Sequence, residues 1–154
     1  MSDKKITILY VDDEENNLIS FKANFRIKYK VHIAISGDEA LTVLEKYPID
    51  VIITDQRMPK MTGVEFLEKV LVNYPDPMRI LLTGYADMNA VVDAVNKGKI
   101  FHYLTKPWNE EELDMTIKRA YEVLLEKREV ESMNEKLATS NDQLEFLLRQ
   151  KLLS

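Results

Sequence analysis

Short apolar runs alternate with stretches of helical period five times along this chain. The runs predict strands near residues 6–11, 31–35, 50–54, 79–83 and 100–105, and the spacing between them predicts helices near 15–28, 37–46, 63–73, 87–97 and from about 110 onward. Alternation of this kind is the signature of βα units wrapped around a parallel sheet. The first three strands are rich in Val and Ile instead of alternating apolar with polar, as expected where helices cover both faces. Three helix starts carry a capping pair: Ser36 with Glu39, Thr62 with Glu65, and Asn109 with Glu112. In each, the cap side chain and the Glu three residues on can satisfy each other's free backbone amides. Pro48, Pro59, Pro75, Pro77 and Pro107 all fall outside the predicted elements, so none interrupts a helix or strand hydrogen bond. The fold class is therefore α/β, a doubly wound five-stranded parallel sheet.

The fifth helix does not stop where a globular domain would. From Asn109 onward there is neither Gly nor Pro, and the helical pattern continues to Leu153, about 45 residues or roughly 65 Å if unbroken. Val123, Val130, Leu137 and Leu144 recur every seventh residue, with Met133 and Leu147 three residues after two of them. That is the a/d pattern of a coiled coil, interrupted by Glu126 and Ser140 at the other inward positions. The expected organisation is a domain over residues 1–125 and a helical extension over 126–154, the front part of something longer.

With 154 residues and 45% apolar content, the chain can bury one core. A net charge of −5 argues against general affinity for nucleic acid or an anionic membrane. There is no cysteine, which removes disulfides and thiolate metal sites. The N-terminus is polar, and no apolar run approaches the roughly 20 residues that cross a bilayer. These features fit a cytoplasmic protein without a membrane partner.

Candidate chemistry sits where the strands end. Asp12 and Asp13 close the first strand, Asp55 the third, Thr83 the fourth, and Lys106 follows the fifth. In an open parallel α/β sheet, ligands bind outside the carboxyl ends of the strands, so three acids, a hydroxyl and an amine would meet there. Two carboxylates about 4 Å apart repel by about 4 kcal/mol at an effective dielectric near 20. A divalent cation removes that conflict, and Mg²⁺ suits an all-oxygen site with one or two direct carboxylates. Each residue also has a plainer reading. Asp13 can cap the first helix, Thr83 can be a β-branched strand residue, and Lys106 a solvated charge. His32 and His102 lack ligand spacing, and the seven methionines read as core filler. No Gly-x-x-x-x-Gly-Lys loop is present for nucleotide phosphates.

The ordered set Asp12-Asp13, Asp55, Thr83 and Lys106-Pro107, with the stretch from Asp55 to Gly63 and Thr83-Gly84-Tyr85, resembles the receiver domains of two-component response regulators over roughly residues 5–125. The resemblance implies strand order 2-1-3-4-5 and a phosphoacceptor role for Asp55. It implies Mg²⁺ held by Asp13 and Asp55, by Asp12 mainly through a water, and by the Arg57 backbone carbonyl. Lys106 would neutralise phosphoryl oxygens, and Thr83 would bind one of them so that Tyr103, three residues before the lysine, swings inward. The Lys106-Pro107 bond would be cis, while Arg57 and Tyr85 occupy positions where the family tunes phosphate lifetime. Trp108 has a plainer reading as a cover for the core beside the fifth helix. The implied partner is a sensor histidine kinase or phosphotransfer protein, and any output enzyme would lie outside this chain.

Two other functions compete. Aspartate-nucleophile phosphohydrolases typically carry a second acid two residues after the nucleophile, where this chain has Arg57. A receiver-shaped scaffold that never meets phosphate would not need all five polar residues. For the extension, the heptads predict a parallel homodimer through residues 120–150. Sedimentation equilibrium should find the full chain dimeric and a chain truncated after Tyr121 largely monomeric. A full-length monomer, or a truncated domain that pairs equally well, would remove the coiled coil.

Overall fold

The computed structural model describes residues 4–153, with Tyr85 and Leu153 described by their backbone alone. Five strands alternate with five helices: β1 Thr7–Val11, α1 Glu15–Phe25, β2 Lys30–Ala34, α2 Gly37–Lys46, β3 Val51–Asp55, α3 Gly63–Asn73, β4 Met78–Thr83, α4 Met88–Asn96, β5 His102–Thr105 and α5 Glu110–Leu153. A single 3-10 turn, Tyr85–Asp87, precedes α4. All strand pairs are parallel, in the order β2-β1-β3-β4-β5. This is the doubly wound arrangement expected from the sequence.

Burial follows position in the sheet. Every residue of β3 and β4 is buried, as is most of β1, whereas the edge strands β2 and β5 are only partly covered. The Val and Ile run of β2 therefore reflects strand propensity more than two-sided burial. One core cluster joins Leu9, Val11, Ile52, Leu81, Phe66, Leu67 and Val91.

Element ends differ from expectation by a few residues. Helix α1 ends at Phe25, and a turn follows in which the Tyr29 amide bonds the Phe25 carbonyl at 2.9 Å and Tyr29 is buried. At the other edge, Phe101 bonds through its amide to the Arg79 carbonyl at 2.7 Å, and β5 begins one residue later. Of the three caps, Thr62 and Glu65 form the reciprocal pair. Ser36 and Asn109 each accept the amide three residues on, at 3.1 and 2.7 Å.

The chain divides into two compact units between Tyr121 and Glu122, and α5 runs through the division. Within the second unit every described side chain from 129 to 152 is exposed. Val130, Met133, Leu137, Leu144 and Leu147 lie between 55% and 61% exposed, so the heptad stripe is uncovered from Val130 onward, while Val123 is half-buried. Among the described residues, no helix is long and apolar enough to cross a membrane.

The first turns of α5 are tied to the α1–β2 loop. The Tyr29 hydroxyl donates to Asp114 Oδ1, and Lys118 and Lys28 reach its other oxygen at 3.1 and 3.5 Å. Burial pushes the Tyr29 phenol well above its usual range, and the Asp114 hydrogen bond adds to it. Burial alone would raise the Asp114 carboxyl, but the hydrogen bonds from Tyr29 and Lys118 and the two ammonium charges outweigh it and hold the carboxyl low. A lowered folded-state value contributes stability above the unfolded value near 4 and loses it as pH falls through the folded one. Asp114→Ala should therefore cost about 2–3 kcal/mol at pH 7, because the buried Tyr29 hydroxyl loses its acceptor. Urea unfolding should show the gap narrowing below about pH 4; a gap constant with pH would mean that the charge contributes nothing.

Candidate functional site

Parallel pairing lines up the strand ends. Val11 lies opposite Thr54, and Thr83 opposite Thr105, so Asp12-Asp13, Asp55, Thr83 and Lys106 emerge along one edge. The Lys106 amide bonds the Thr83 carbonyl at 2.9 Å, and the Gln56 amide bonds Leu82 at 3.0 Å. The ends of β3, β4 and β5 are thereby held together.

Asp12, Asp13 and Asp55 each present a carboxylate oxygen within 4.8 Å of the others. Asp12 and Asp55 are almost completely buried, at 2% and 4% exposure. Lys106 Nζ pairs directly with Asp55 Oδ1. Burial pushes the Asp55 carboxyl above its ordinary range; the Lys106 bond and charge oppose this, and Asp12 and Asp13 add to the rise. Three acids facing one ammonium leave negative charge uncompensated, which is the condition a divalent cation relieves. The donor set is all oxygen, and it fits a hard ion such as Mg²⁺.

Neighbouring side chains fix this edge. The Asp12 carboxylate accepts from the Tyr10 hydroxyl at 2.8 Å, the Glu14 amide at 3.0 Å and Asn17 Nδ2 at 3.1 Å. Among the described residues no side chain caps α1: the N-cap residue is Glu14, without a side-chain bond, so Asp13 does not take the capping role that one reading of the sequence offered, and Asp12 bonds only the amide just before the helix. Beyond Asp55, Gln56 accepts the amides of Gly63 through its carbonyl and of Val64 through Oε1, each at 2.9 Å. Helix α3 starts so close that a Cβ on Gly63 would sit 2.4 Å from the Asp55 carbonyl oxygen. Only glycine permits that approach.

The structure gathers Asp12, Asp13, Asp55, Thr83 and Lys106 at one place. Thr83 is buried, its hydroxyl donating to the Gly84 carbonyl at 3.1 Å. A cleft of about 300 Å³ opens beside Asp55, lined also by Arg57, Thr83, Asp87 and Lys106. The Arg57 side chain is exposed and turned to Asp87, Nε to Oδ2 at 3.1 Å, leaving its backbone carbonyl as the part a cation could use. Tyr103 lies outside the cleft, half-buried against the core and paired in register with Leu81. The side chain of Tyr85 is outside what the structure describes. The Lys106–Pro107 peptide is cis. Tyr10, Asn17, Gln56 and Asp87 were not singled out by sequence, because hydrogen bonding to a strand end leaves no spacing pattern.

Residues 8–118 match the family described as the response regulator receiver domain. The chain belongs to that family. This receiver is similar to the hydrogenase transcriptional regulatory protein HoxA of Cupriavidus necator, with 36% identity over 100% of this chain and 32% of that protein. It is also similar to the regulatory protein AtoC of Escherichia coli, with 32% identity over 86% of the chain and 29% of that protein. The receiver therefore spans about a third of the length of these relatives. Among solved structures, one described as adenylate cyclase from Rhodopirellula baltica matches with a TM-score of 0.83 and 31% identity, over 86% of this chain and 99% of that one. The signal receiver domain of an HD domain-containing protein from Pseudomonas fluorescens Pf-5 gives 0.77 and 32%, over 84% and 96%.

Mg²⁺ should bind this receiver in the millimolar to sub-millimolar range, because few protein oxygens are offered and the ion keeps most of its waters. Asp13→Ala should abolish that binding. Calorimetry finding equal affinity in the variant would take Asp13 out of the ligand set.

Proposed function

We propose that this receiver is the phosphoacceptor switch of a two-component pathway, taking a phosphoryl group from a histidine kinase or phosphotransfer protein onto Asp55. The observation that carries this reading is the Lys106 ammonium on Asp55 Oδ1 beside two further carboxylates. A nucleophile, a fixed cation and an acidic ion cradle are what in-line phosphoryl transfer requires. Asp13, Asp55 and the Arg57 carbonyl would hold Mg²⁺, with Asp12 acting through a water. When bound, the ion supplies positive charge for both the carboxylates and the phosphoryl oxygens. The Asp55 oxygen attacks phosphorus, the donor's bond to phosphorus breaks, and an acyl phosphate results. Lys106 then neutralises a phosphoryl oxygen, and Thr83 turns its hydroxyl from Gly84 to another.

In this reading the charge change is converted to packing at β5. Movement of Thr83 opens space that Tyr103 enters, and the surface of α4, β5 and α5 changes. The chain is a switch and not an output enzyme. Its similarity to HoxA over all 154 residues supports transcription control as the output, exerted through α5 by a module or partner beyond this chain. Pairing of two chains along the heptad stripe, in the cytoplasm, completes the proposal.

With Mg²⁺ and acetyl phosphate, the protein should gain one phosphoryl group that base and hydroxylamine remove. Asp55→Asn should gain none. Intact-mass spectrometry that still detects one labile phosphate on the variant would move the acceptor to another residue.

A further inference from the structure

Three donors hold the Asp12 carboxylate, and they are unevenly shared. Among the described residues, Oδ2 accepts from both the Tyr10 hydroxyl, at 2.8 Å, and Asn17 Nδ2, at 3.1 Å, whereas Oδ1 accepts only the Glu14 amide, at 3.0 Å. A carboxylate oxygen offers about two lone-pair directions, so Oδ2 is filled and Oδ1 keeps one free. Asp12 can therefore meet a cation, or a water on that cation, through one oxygen only. Gripping with both would break a bond to Tyr10 or Asn17.

The Tyr10 hydroxyl has little freedom to yield. Its ring stacks on Phe21 with centroids 4.1 Å apart and planes 5° from parallel, and Phe21 packs on Phe25 at 4.7 Å. Tyr10 is 2% exposed, and in the sheet it lies between Ile33 and Ile53. A buried phenol needs an acceptor somewhere, and any backbone carbonyl would satisfy a purely structural tyrosine. This one instead takes an oxygen of the acid cluster.

We propose that Tyr10 is a positioning residue that pins Asp12 as a one-oxygen donor and so makes the acid cluster favour Mg²⁺ over Ca²⁺. The inference rests on the reading of that cluster as a divalent-cation site. Mg²⁺ demands a small, near-ideal octahedron, while Ca²⁺ accepts more ligands and two-oxygen carboxylates at longer distances. A pinned carboxylate suits the first ion. One freed to turn offers both oxygens and suits the second.

Tyr10→Phe keeps the ring and its stacking and removes only the hydroxyl. Mg²⁺ and Ca²⁺ titrations by calorimetry on the full chain should show the Mg²⁺ Kd rising roughly tenfold, the usual scale for losing a group that orients a ligand. Ca²⁺ should weaken clearly less, so the Mg²⁺ preference narrows. Equal weakening for both ions, or no change in either, would overturn the proposal, since a merely structural role moves both together. Wild-type protein that binds neither ion would instead reject the acid cluster as a cation site. A second measurement needs no variant: in wild-type protein carrying ζ-¹³C tyrosine, the Tyr10 resonance should move with Mg²⁺ at the calorimetric Kd. A Tyr10 signal indifferent to saturating Mg²⁺ would equally overturn the proposal.

Discussion

Like charge held close at the end of a parallel sheet is the constraint on which this molecule turns. Asp12, Asp13 and Asp55 bring oxygens within 4.8 Å of one another, and each pair at such a distance opposes folding by a few kcal/mol. Parallel pairing of β1 with β3 makes the cluster unavoidable, because it places both carboxyl ends on the same edge. The buried strands β3 and β4 supply the apolar burial that holds the edge together against this repulsion. One ammonium offsets part of it. The remainder is what makes the edge receptive to a cation and to the chemistry a cation permits.

Helix α1 serves both ends of the receiver through one row of rings. Phe21 stacks on Tyr10, whose hydroxyl reaches Asp12, and Phe25 leads to Tyr29, whose hydroxyl reaches Asp114 on α5. The polar ends of that row are each met by a carboxylate, so the row buries large apolar surface without leaving a phenol unsatisfied. Packing against α1 thus bears on the acid cluster and on the root of the long helix alike.

The helical extension obeys a different rule. A helix closes its own backbone hydrogen bonds and needs no neighbouring strand for them, but Val130, Leu137 and Leu144 on one stripe remain in water until another surface covers them. With Glu126 and Ser140 at the other inward positions, the stripe is a weak one by coiled-coil standards.

Much of this was legible in the sequence for local reasons. Strand and helix order follows from apolar period, the cap at Thr62 from a four-residue pattern, and the heptads from seven-residue spacing; each depends on neighbours along the chain. The polar quintet was also legible, because a parallel α/β sheet sends its strand ends to one edge and the resemblance supplied the order of strands. What only the tertiary structure decided involves partners distant in sequence or set by side-chain direction. Tyr10 on Asp12, Gln56 on the start of α3, Arg57 turned to Asp87 and Tyr29 on Asp114 leave no periodic trace. The burial of β2 followed the same logic: its residues read as two-sided core, yet edge position left the strand half covered. Composition and period depend on what each residue is, whereas hydrogen-bond partners depend on where the whole fold brings it, and that is fixed only when the sheet and its helices assemble.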